Sequence, residues 1–434
     1  MIQHPLAAEI EWQGQPVSVV SLGCGALSAL TPQAIEAIKQ SEVIIGSKHH
    51  FDDISDIQNT AKKITFPSPF SALATLLSEL SKQKKGKRIC ILASGDALFF
   101  GIGSWLNRQL GNQNLNFYPN ISSIQACFHA IGLPWQEAKV VSLHGRPLSS
   151  LRRYLVNQQL IAVLTDNHSN PIAIARELNQ QGFGQSDMWV CESMGKMTNE
   201  HNSQSVSQYT VGKLAALNFS FQTLNVCLVA LKGQTALPAF PGIADELFST
   251  GSAPGYGMIS KREVRLSILS LMQPSPNEIA WDIGAGCGSV SVEWARWNNS
   301  GTIYAIESSQ SRIDHIKNNS DRFGTTQNLK IIEGNAPTCC TNLPKPDSIF
   351  IGGSNGLGAM LDFAWQQLKP GGKLVASAVT ENSREALISF MSAKPGFEQV
   401  DIQITKNLPD NLTLRTLSPV LLAKCQKPYT PDSR

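Results

Sequence analysis

The sequence predicts an α/β protein built from two domains. Its 434 residues exceed what one ordinary hydrophobic core accommodates. Short apolar strands alternate with segments of helical period, which is typical of mostly parallel sheets. Residues 233–257 are rich in proline and glycine and lose the strand periodicity, so we place a linker there. The predicted domains are therefore 16–232 and 258–425.

Composition excludes several classes of function. The formal net charge is +3, with 16% charged and 42% hydrophobic residues, so nothing favours nucleic-acid binding. No apolar run is long enough to cross a membrane, and the start MIQHPLAAEI lacks the features of a signal peptide, so we expect a cytoplasmic protein. The nine cysteines contain no C-x-x-C and the eight histidines show no ligand spacing. We therefore expect free thiols and no metal site.

The first half begins with a strand at 17–22 that runs into a turn containing Gly23 and Gly25. Thr31 followed by Pro32 predicts the start of a helix, because threonine caps helices and proline suits their first position. Further strands are predicted at 43–46 and 88–93, and helices at 71–80 and 100–110. This alternation predicts a mostly parallel sheet.

Five motifs in this half resemble, in order, those of the tetrapyrrole (corrin/porphyrin) methylase family. They are G-C-G with L-T-P-Q-A at 23–34, G-D-A at 95–97, P-N-I-S-S at 119–123, V-S-L-H-G-R at 141–146 and L-T-D at 164–166. The resemblance implies a two-lobed domain that binds S-adenosylmethionine between its lobes. Combined with the resemblance of the second half, given below, it implies methylation of carbon 5 of a corrin precursor. It also implies cofactor contacts from Gly23, Asp96, Phe99, Ser122, Ser123 and Leu164. The alternative for Asp96 is stabilisation of a Gly-Asp turn.

This half also departs from the family pattern. Ser21 occupies the first position of the usual G-x-G-P-G turn, and Cys24 replaces its proline. Ala97 replaces the proline of G-D-P, Phe100 stands where tyrosine is common, and Asn120 replaces a glycine. Lost prolines loosen a loop and a lost hydroxyl removes a donor, so the changes indicate either a tuned or a weakened site.

The second half contains a glycine-rich stretch at 281–289 between a predicted strand and a predicted helix. Gly284, Gly286 and Gly288 follow the spacing G-x-G-x-G, with Asp282 two residues ahead. Such a turn lets backbone approach a nucleotide-like ligand. Glu307 ends the next strand about 20 residues on, where a carboxylate accepts hydrogen bonds from ribose hydroxyls. The alternatives are a tight turn without ligand and a nicotinamide site, although the G-x-G-x-x-G of the latter is absent.

These features resemble the S-adenosylmethionine site of Rossmann-like methyltransferases. More specifically, I-S-K-R-E-V-R at 259–265, W-D-I-G-A-G-C-G-S at 281–289, A-I-E, E-G-N-A-P, F-I-G-G-S and L-K-P-G-G resemble the decarboxylating precorrin methyltransferase domain of cobalamin biosynthesis, over residues 240–425. The resemblance implies a cofactor site formed by Ser260, Gly284, Ala285, Gly286, Cys287, Gly288, Glu307, Asn335 and Ala336. Its reaction would be methylation of carbon 15 with loss of carbon dioxide from the ring-C acetate chain.

Two further predictions concern local structure in this half. Ser260 with Glu263 three residues later predicts a helix that begins with a capping box. The apolar stretches at 397–405 and 413–424 are predicted to form the antiparallel edge pair of the sheet.

Basic side chains in both halves are candidates for binding the carboxylates of a tetrapyrrole. Lys261, Arg262 and Arg265 cluster within one helical turn, and the alternative for them is a solvated basic face. His144 and Arg146 follow a predicted strand, and the alternative for them is an ordinary solvated loop.

Together the two resemblances imply a bifunctional enzyme of corrin biosynthesis, with one S-adenosylmethionine site in each domain and a homo-oligomeric state. The substrate would be a precorrin, without nucleic-acid or membrane partners. Carbon nucleophiles of this kind need no base, and we assign no catalytic residue. Two other classes stay open: a nicotinamide-linked reductase, and a carrier that holds tetrapyrrole without reacting.

Overall fold

The computed structural model describes residues 9–24, 27–82, 87–194, 205–352, 356–407 and 413–429. Gly25 of the first turn and the pair Gly353-Ser354 of F-I-G-G-S lie outside these ranges. The chain divides into two compact units. Unit 1 comprises the residues up to His144 and Gln158–Gly233, and unit 2 comprises Gly145–Asn157 and the residues from Gln234 onward.

The first lobe of unit 1 is a parallel sheet flanked by helices. Its strands are β1 Val17–Ser21, β2 Val43–Gly46, β3 Lys62–Thr65, β4 Ile89–Ala93 and β5 Leu115–Tyr118. Its helices are α1 Pro32–Gln40, α2 Lys48–Asp53, α3 Ala72–Ser81 and α4 Gly103–Leu110. The described strands lie in the order β3-β2-β4-β1-β5, and every pairing between them is parallel, as predicted. Consecutive apolar residues bury both faces of β1, β2 and β4, as a sheet covered on both sides requires.

The second lobe of unit 1 is a mixed sheet. Its helices are α5 Ser123–Ile131, α6 Pro171–Gln180 and α7 Val211–Ala215. Its strands are β6 Lys139–Ser142, β7 Leu160–Leu164, β8 Asp187–Glu192, β9 Ser205–Thr210 and β10 Asn225–Ala230. In the described residues these lie in the order β6-β7-β10-β8-β9, where only the β6–β7 pairing is parallel. The two sheets form the two-lobed domain that the sequence predicted.

Unit 2 has the predicted Rossmann-like architecture. Its helices are α8 Arg262–Met272, α9 Ser289–Trp297, α10 Gln310–Arg322, α11 Leu357–Gln367 and α12 Glu381–Met391. Its strands are β11 Ile279–Ile283, β12 Thr302–Glu307, β13 Leu329–Glu333, β14 Ser348–Ile351, β15 Lys373–Ala378, β16 Glu398–Ile402, β17 Thr405–Asn407, β18 Leu414–Thr416 and β19 Val420–Gln426. Within the described part of this unit, the main sheet has the order β13-β12-β11-β14-β15-β19-β16, in which β13 to β15 are parallel.

The predicted antiparallel edge is confirmed only in part. β16 lies at the edge and pairs antiparallel with β19, which in turn pairs antiparallel with β15. The stretch around 414 instead pairs with β17 in a separate two-stranded ribbon. The proline at 419 separates this ribbon strand from β19, because proline cannot donate to a sheet ladder.

One helix start was predicted correctly and another was not. The Thr31 hydroxyl accepts the Ala34 amide at 3.2 Å, and α1 begins at Pro32. The capping box of Ser260 and Glu263 is wrong, because α8 begins at Arg262 without a side-chain cap from its own N-cap residue. A carboxylate distant in sequence takes this role: Asp245 Oδ1 accepts the Arg262 amide at 3.0 Å.

Residues Gly145–Asn157 group with unit 2 although they lie within the first half of the sequence. Arg153 anchors them there, because its guanidinium donates to the Ala295 carbonyl at 3.1 Å and to Asn328 Oδ1 at 2.9 Å. Arg152 adds an ion pair with Asp321 at 2.9 Å.

Two features bear on the classes of function. Across the described ranges, no helix combines the length and apolar character that a bilayer crossing requires. The same residues contain no cluster of three or more histidine, cysteine, aspartate or glutamate side chains poised to hold a metal ion.

Candidate cofactor sites in the two units

The glycine-rich turn of unit 2 joins β11 to α9. Gly284, Gly286 and Gly288 have φ angles of 75°, 60° and 79°, in the left-handed region that favours glycine. The amides of Gly284 and Ala285 both donate to the Ile306 carbonyl, at 3.0 and 3.1 Å. A Cβ placed on Gly284 meets no atom within 4 Å. Open space therefore adjoins the turn at the carboxyl edge of the sheet, where open α/β sheets bind ligands.

Glu307 is the last residue of β12 and is only 4% exposed. Its Oε2 accepts the Gly286 amide at 2.8 Å, and its Oε1 accepts the Ser308 and Ser309 amides at 2.9 and 3.0 Å. Arg312 lies 3.8 Å from Oε1. Each carboxylate oxygen can accept two hydrogen bonds, so Oε2 retains capacity for a hydroxyl donor. The residue predicted to bind ribose thus also holds the turn.

Two positions of this turn carry structural constraints of their own. A Cβ on Gly288 would lie 3.1 Å from Ile316, so glycine is needed for α10 to pack against the turn. The Cys287 thiol is buried, and burial raises its pKa. Its carbonyl accepts the Asn319 side-chain amide at 2.8 Å. Cys287 therefore contributes to the site through its backbone, which Asn319 holds in place, and not through a reactive thiolate.

Asn335 and Ala336 approach the turn from the loop after β13. The Gly334 amide donates to the Glu307 carbonyl at 3.0 Å, which fixes this loop beside the end of β12. Asn335 is exposed and Ala336 is half-buried. Both residues therefore lie at the same sheet edge as the glycine-rich turn.

The segment that leads to Ser260 passes the other side of this turn. The Met258 carbonyl lies 3.7 Å from the position of a Cβ on Gly286. Arg312 contacts the Met258 sulfur at 2.9 Å, and Arg312 is also the residue beside Glu307. The structure therefore brings to one edge most residues predicted for this site: Gly284, Ala285, Gly286, Cys287, Gly288, Glu307, Asn335 and Ala336. Ser260 follows Met258 by two residues, and its carbonyl accepts a hydrogen bond from Arg265 Nη1 at 2.5 Å.

The prediction that Arg265 binds a substrate carboxylate is wrong. Its side chain is 0% exposed, its Nη1 lies 2.7 Å from Asp245 Oδ1, and its Nε lies 2.9 Å from Glu293 Oε2. Phe248 covers the guanidinium, with 4.7 Å between Cζ and the ring centroid. A buried cation that is paired with two carboxylates has no access to a ligand. Arg265 instead links α8 to α9 and to the segment around Asp245 that precedes α8.

The other two basic residues of that cluster differ from each other. The Lys261 ammonium group donates to the Gly255 carbonyl at 2.6 Å. Arg262 is exposed, and its nearest acid is Glu263 at 3.3 Å. Of the three predicted contacts, Arg262 is thus the most accessible to a substrate.

Asp282 is a polar residue of this region that sequence reasoning did not assign to the site. It is 1% exposed, and burial raises its pKa from 3.8 to about 7. The Ser291 hydroxyl donates to Oδ2, whereas Oδ1 has no hydrogen-bond partner among the described residues. The signal available in the sequence was an acid inside an otherwise apolar strand, two residues before the turn.

Gly352 is a second residue beside the site that was not among the predicted site residues. It follows β14, and a Cβ placed on it would lie 2.9 Å from the Gly284 carbonyl. A larger residue would therefore push the end of β14 away from the glycine-rich turn. The sequence indicated only that small residues occur there, not which backbone they allow to approach.

In unit 1, two glycines replace the charged support that Glu307 gives in unit 2. Gly23 and Gly95 both have a φ of 62°. They exchange two backbone hydrogen bonds, 3.0 Å from Gly23 N to Gly95 O and 2.6 Å in the reverse direction. Asp96 Oδ1 accepts the Leu98 amide at 2.8 Å, which is the turn-stabilising contact weighed as the alternative for this residue.

Ser122 and Ser123 lie next to this pair of loops. A Cβ on Gly95 would lie 3.7 Å from the Ser122 Cα and 3.8 Å from the Ser123 amide nitrogen. The Ser122 hydroxyl caps α5 by accepting the Gln125 amide at 3.2 Å and donates to Gln125 Oε1 at 3.1 Å. Ser122 is buried and Ser123 is half-buried, so the Ser123 hydroxyl is the more accessible to a ligand.

Phe99 and Leu164 border one apolar cluster of unit 1. Its buried members include Cys127 and Phe128 of α5, and both predicted residues pack against it while remaining half-exposed. Residues from the loop after β4 and from the end of β7 thus meet around α5. The structure therefore brings together Gly23, Asp96, Phe99, Ser122, Ser123 and Leu164 within unit 1.

His144 and Arg146 are both exposed, as a role in substrate binding requires. His144 Nδ1 lies 3.4 Å from the Thr165 carbonyl, beside the end of β7. His144 belongs to unit 1 and Arg146 to unit 2.

The two halves of the sequence match two different family models. Residues 16–206 match the tetrapyrrole (corrin/porphyrin) methylases, and residues 255–427 match the precorrin methyltransferase domain. A Sinorhizobium protein named precorrin-6Y C(5,15)-methyltransferase [decarboxylating] is 31% identical over 396 residues, which cover 91% of each chain. The chain belongs to the precorrin-6Y C(5,15)-methyltransferase family.

Relatives with a single activity in their names match shorter parts of this family member. A Salmonella typhimurium cobalt-precorrin-7 C(5)-methyltransferase is 31% identical over 184 residues, 42% of this chain and 87% of its own. A Saccharolobus solfataricus protein, named probable cobalt-precorrin-6B C(15)-methyltransferase (decarboxylating), is 29% identical over 196 residues, 43% of this chain and 96% of its own.

Two departures of this C(5,15)-methyltransferase family member from the methylase motifs complement each other. Proline at position 97 has no amide hydrogen and glycine at position 21 has no side chain, so the usual motifs lack this pair of groups. Here the Ala97 amide donates to the Ser21 hydroxyl at 3.0 Å, with both residues buried. The new donor and the new acceptor thus satisfy each other.

Asn120 compensates in the same way for a lost glycine. Its Nδ2 donates to the Ser21 carbonyl at 3.3 Å and the Ala29 carbonyl at 3.1 Å, and its Oδ1 accepts the Ile121 amide at 2.8 Å. A Cβ on Gly23 would lie 2.7 Å from Asn120 Oδ1, so the amide fills the space beside the turn. These contacts favour the interpretation of a tuned site over that of a weakened one.

Proposed function

We propose that the chain is a bifunctional S-adenosylmethionine-dependent methyltransferase of corrin biosynthesis, which methylates precorrin-6B at carbons 5 and 15 and removes carbon dioxide from the ring-C acetate chain. The observation that carries this proposal is the 31% identity over 91% of a precorrin-6Y C(5,15)-methyltransferase. We assign carbon 5 to residues 16–232, and carbon 15 with decarboxylation to residues 258–425. The segment 233–257 joins them, and from Gln234 onward it packs with unit 2, where Ile243 and Phe248 are buried. The separate relatives named for C(5) and C(15) support this division.

Each unit contains residues that fit one S-adenosylmethionine. In unit 2, the open space at Gly284 and the spare acceptor capacity of Glu307 Oε2 suit a ribose. In unit 1, the Gly23–Gly95 bridge leaves Asp96 and Ser123 at the surface of the loops that would hold the second cofactor. When bound, the cofactor supplies an electrophilic methyl group; the chain supplies its position.

Catalysis in both units is a matter of orientation and exclusion of water. The meso carbons of a reduced tetrapyrrole are enamine-like and already nucleophilic, so no side chain needs to act as a base. When the methyl group is held in line with such a carbon, proximity provides most of the acceleration of methyl transfer. Arg262 in unit 2 and His144 in unit 1 are exposed and would contact substrate carboxylates, with Lys261 and Arg146 near them in sequence.

The order of the two reactions follows from the names of the single-activity relatives. The C(15)-methyltransferase is named for a 6B precursor and the C(5)-methyltransferase for a precursor numbered 7. We therefore expect methylation at carbon 15 with decarboxylation to come first. Decarboxylation would use the conjugated system of the substrate as its electron sink; a single side chain that proves essential for release of carbon dioxide, but not for methylation, would contradict this.

We also expect a cytoplasmic homo-oligomer, as composition and family suggest. Sedimentation of the purified chain tests the oligomeric part: a monomer at assay concentration would contradict it.

Mass spectrometry of precorrin-6B after incubation with the enzyme and methyl-labelled S-adenosylmethionine tests the function. We expect two labelled methyl groups gained and one carbon dioxide lost. One methyl group with loss of carbon dioxide would mean that unit 1 is inactive on this substrate. An unchanged mass, with cobalt-free and with cobalt-loaded substrate, would overturn the proposal in favour of a carrier.

A further inference from the structure

Four polar side chains of unit 1 form a cluster that the proposed cofactor sites do not use. Ser47, His49 and His50 follow β2, and Ser94 follows β4, which is its neighbour in the sheet. His50 Nε2 lies 2.8 Å from Ser94 Oγ, and His49 Nε2 lies 3.4 Å from the same oxygen. The cluster therefore stands at the carboxyl ends of two parallel strands, which is the edge where open α/β sheets bind ligands.

The hydrogen bonds of His50 determine its tautomer. The Ser47 amide lies 3.2 Å from His50 Nδ1 and can only donate, so Nδ1 must be the acceptor. The proton of the neutral ring is then on Nε2, which donates to Ser94 Oγ. Burial lowers the pKa of His50 to about 4, with a smaller contribution from His49, so the ring is neutral near pH 7.

This direction of hydrogen bonding separates the pair from a nucleophilic serine. A histidine that activates serine must accept the hydroxyl proton. Here His50 donates to Ser94 Oγ, so the Ser94 proton points away from His50. Ser94 is exposed, so its hydroxyl can donate to a ligand, with His49 Nε2 at 3.4 Å as the other acceptor within reach.

The surrounding backbone is shaped for this arrangement. A Cβ on Gly46 would lie 3.3 Å from both the Cβ and Nδ1 of His50. Glycine at the last position of β2 thus leaves room for the imidazole ring. On its other side the ring meets the edge of Phe66, with 6.2 Å between centroids. His50 is consequently 5% exposed and held by packing as well as by hydrogen bonds.

His49 provides a second polar group at the same place. It is exposed, its Nδ1 lies 3.0 Å from Ser47 Oγ, and its ring meets that of His50 edge-on at 4.3 Å. A carboxylate has two oxygens, which suits the hydroxyl of Ser94 and the imidazole of His49 as neighbouring donors. Asp96, in the loop proposed to contact the cofactor, is two residues beyond Ser94.

We propose that Ser94 and His49 bind a peripheral carboxylate of the tetrapyrrole substrate in unit 1, and that His50 is a positioning residue that fixes Ser94 as a donor. The inference rests on the proposed function, because it takes its ligand from that substrate. It adds a substrate contact to the first lobe, separate from His144.

The test measures carbon 5 methylation of the substrate that already carries the carbon 15 methyl group and has lost carbon dioxide. For Ser94→Ala and His49→Ala we expect KM for the tetrapyrrole to rise about tenfold, the loss of one hydrogen bond to a charged group, with kcat little changed. KM for S-adenosylmethionine should stay the same. His129→Ala, which changes another exposed histidine of unit 1, should leave every constant unchanged.

Conservative variants separate positioning from mere stability. His50→Ala should also raise the KM for the tetrapyrrole, because Ser94 is then no longer fixed as a donor. Ser94→Thr keeps the hydroxyl, and His50→Gln keeps one acceptor and one donor. Each of these two variants should therefore retain most of the affinity that the alanine variant at the same position loses. An unchanged KM for the tetrapyrrole in Ser94→Ala and in His49→Ala would overturn the inference. An equal rise in the KM of S-adenosylmethionine would also overturn it, because the cluster would then serve the cofactor. If the wild-type protein fails to methylate carbon 5 at all, it is the proposed function that fails.

Discussion

The two units support their glycine-rich turns by different chemistry. In unit 2 the turn at Gly286 is tied to a buried carboxylate, Glu307, which in turn holds the following loop and faces Arg312. In unit 1 the turn at Gly23 is supported by backbone hydrogen bonds to Gly95 and by the neutral side chain of Asn120. The two glycine-containing turns therefore rest on different supports, and substitutions of charge should distinguish the two units.

The same contrast extends to the cores. Among the described residues, the ion pairs with both side chains at most 4% exposed are those of Arg265 with Asp245 and Glu293, all in unit 2. The contacts that adapt unit 1 to its departures from the family, the buried one between Ser21 and Ala97 and those made by the half-buried Asn120, are neutral. Unit 2 should thus be the more sensitive to loss of a charge, and unit 1 to loss of a hydrogen-bonding partner.

The largest effect is expected from Arg265→Ala. Removal of this cation leaves the Glu293 carboxylate buried without a cationic partner and leaves Asp245 with Lys406 alone, 3.6 Å from its Oδ2, which costs about 3–5 kcal/mol. Hydrogen exchange of α8 and β11 amides should report this loss in unit 2, while exchange in β1 and β4 stays unchanged. Arg262→Ala is the control, because this side chain lies three residues earlier and is exposed. It should lower the free energy of unfolding by less than about 0.5 kcal/mol. Equal effects of the two variants would contradict the ionic support.

A somewhat smaller effect is expected for Glu307→Ala on cofactor binding. Loss of a charged acceptor should weaken S-adenosylmethionine binding in unit 2 by about 2–4 kcal/mol. Calorimetry should then show one strong site per chain in place of two. Glu307→Gln keeps one oxygen and should lose less. Glu333→Ala, at the paired position of β13 and exposed, is the matched control. Two unchanged sites in Glu307→Ala would remove Glu307 from the cofactor site.

Local sequence signals predicted the features that local chemistry determines. The cap of α1 by Thr31 and the left-handed glycines of the 284–288 turn follow from residue type and short spacing. The strand that ends at Glu307 was also predicted, and it spans Thr302–Glu307. Together with the alternation of strands and helices, these signals were enough for the α/β class, whereas the two architectures and the residues of the unit 1 site were predicted from the family resemblances.

The features that were missed depend on partners far apart in the chain. In the sequence, Arg265 has the character of a surface residue. The structure shows that Asp245 and Glu293 surround it, and no local sequence pattern indicates contacts with residues that far away in the chain. The same holds for the Asp245 carboxylate that caps α8 in place of Ser260. Ser21 and Ala97 looked like two separate losses, because nothing local shows that their new groups meet.

Asp282 allows a test of the buried charge in unit 2 by pH. Its pKa in the folded state, about 7, lies above the 3.8 of an ordinary aspartate. The folded state therefore binds the proton more tightly, and the stabilisation present at low pH is lost as pH rises through about 7. Asp282→Asn cannot ionise, so it should be more stable than wild type by about 2 kcal/mol at about pH 8, with a smaller difference at about pH 5. Exchange of β11 amides at the two pH values checks this; a difference independent of pH would contradict it.

The smallest effect, and the one that tests unit 1, concerns Ser21 and Ala97. Ser21→Gly leaves the Ala97 amide buried without an acceptor and should destabilise unit 1 by about 1–2 kcal/mol. Ala97→Pro removes the donor and leaves the Ser21 hydroxyl unpaired. The double variant restores the family's own combination, so its cost should be lower than the sum of the two single variants by about 1 kcal/mol. Strictly additive costs, measured by exchange of β1 and β4 amides, would mean that the two departures arose independently and that unit 1 is weakened rather than tuned.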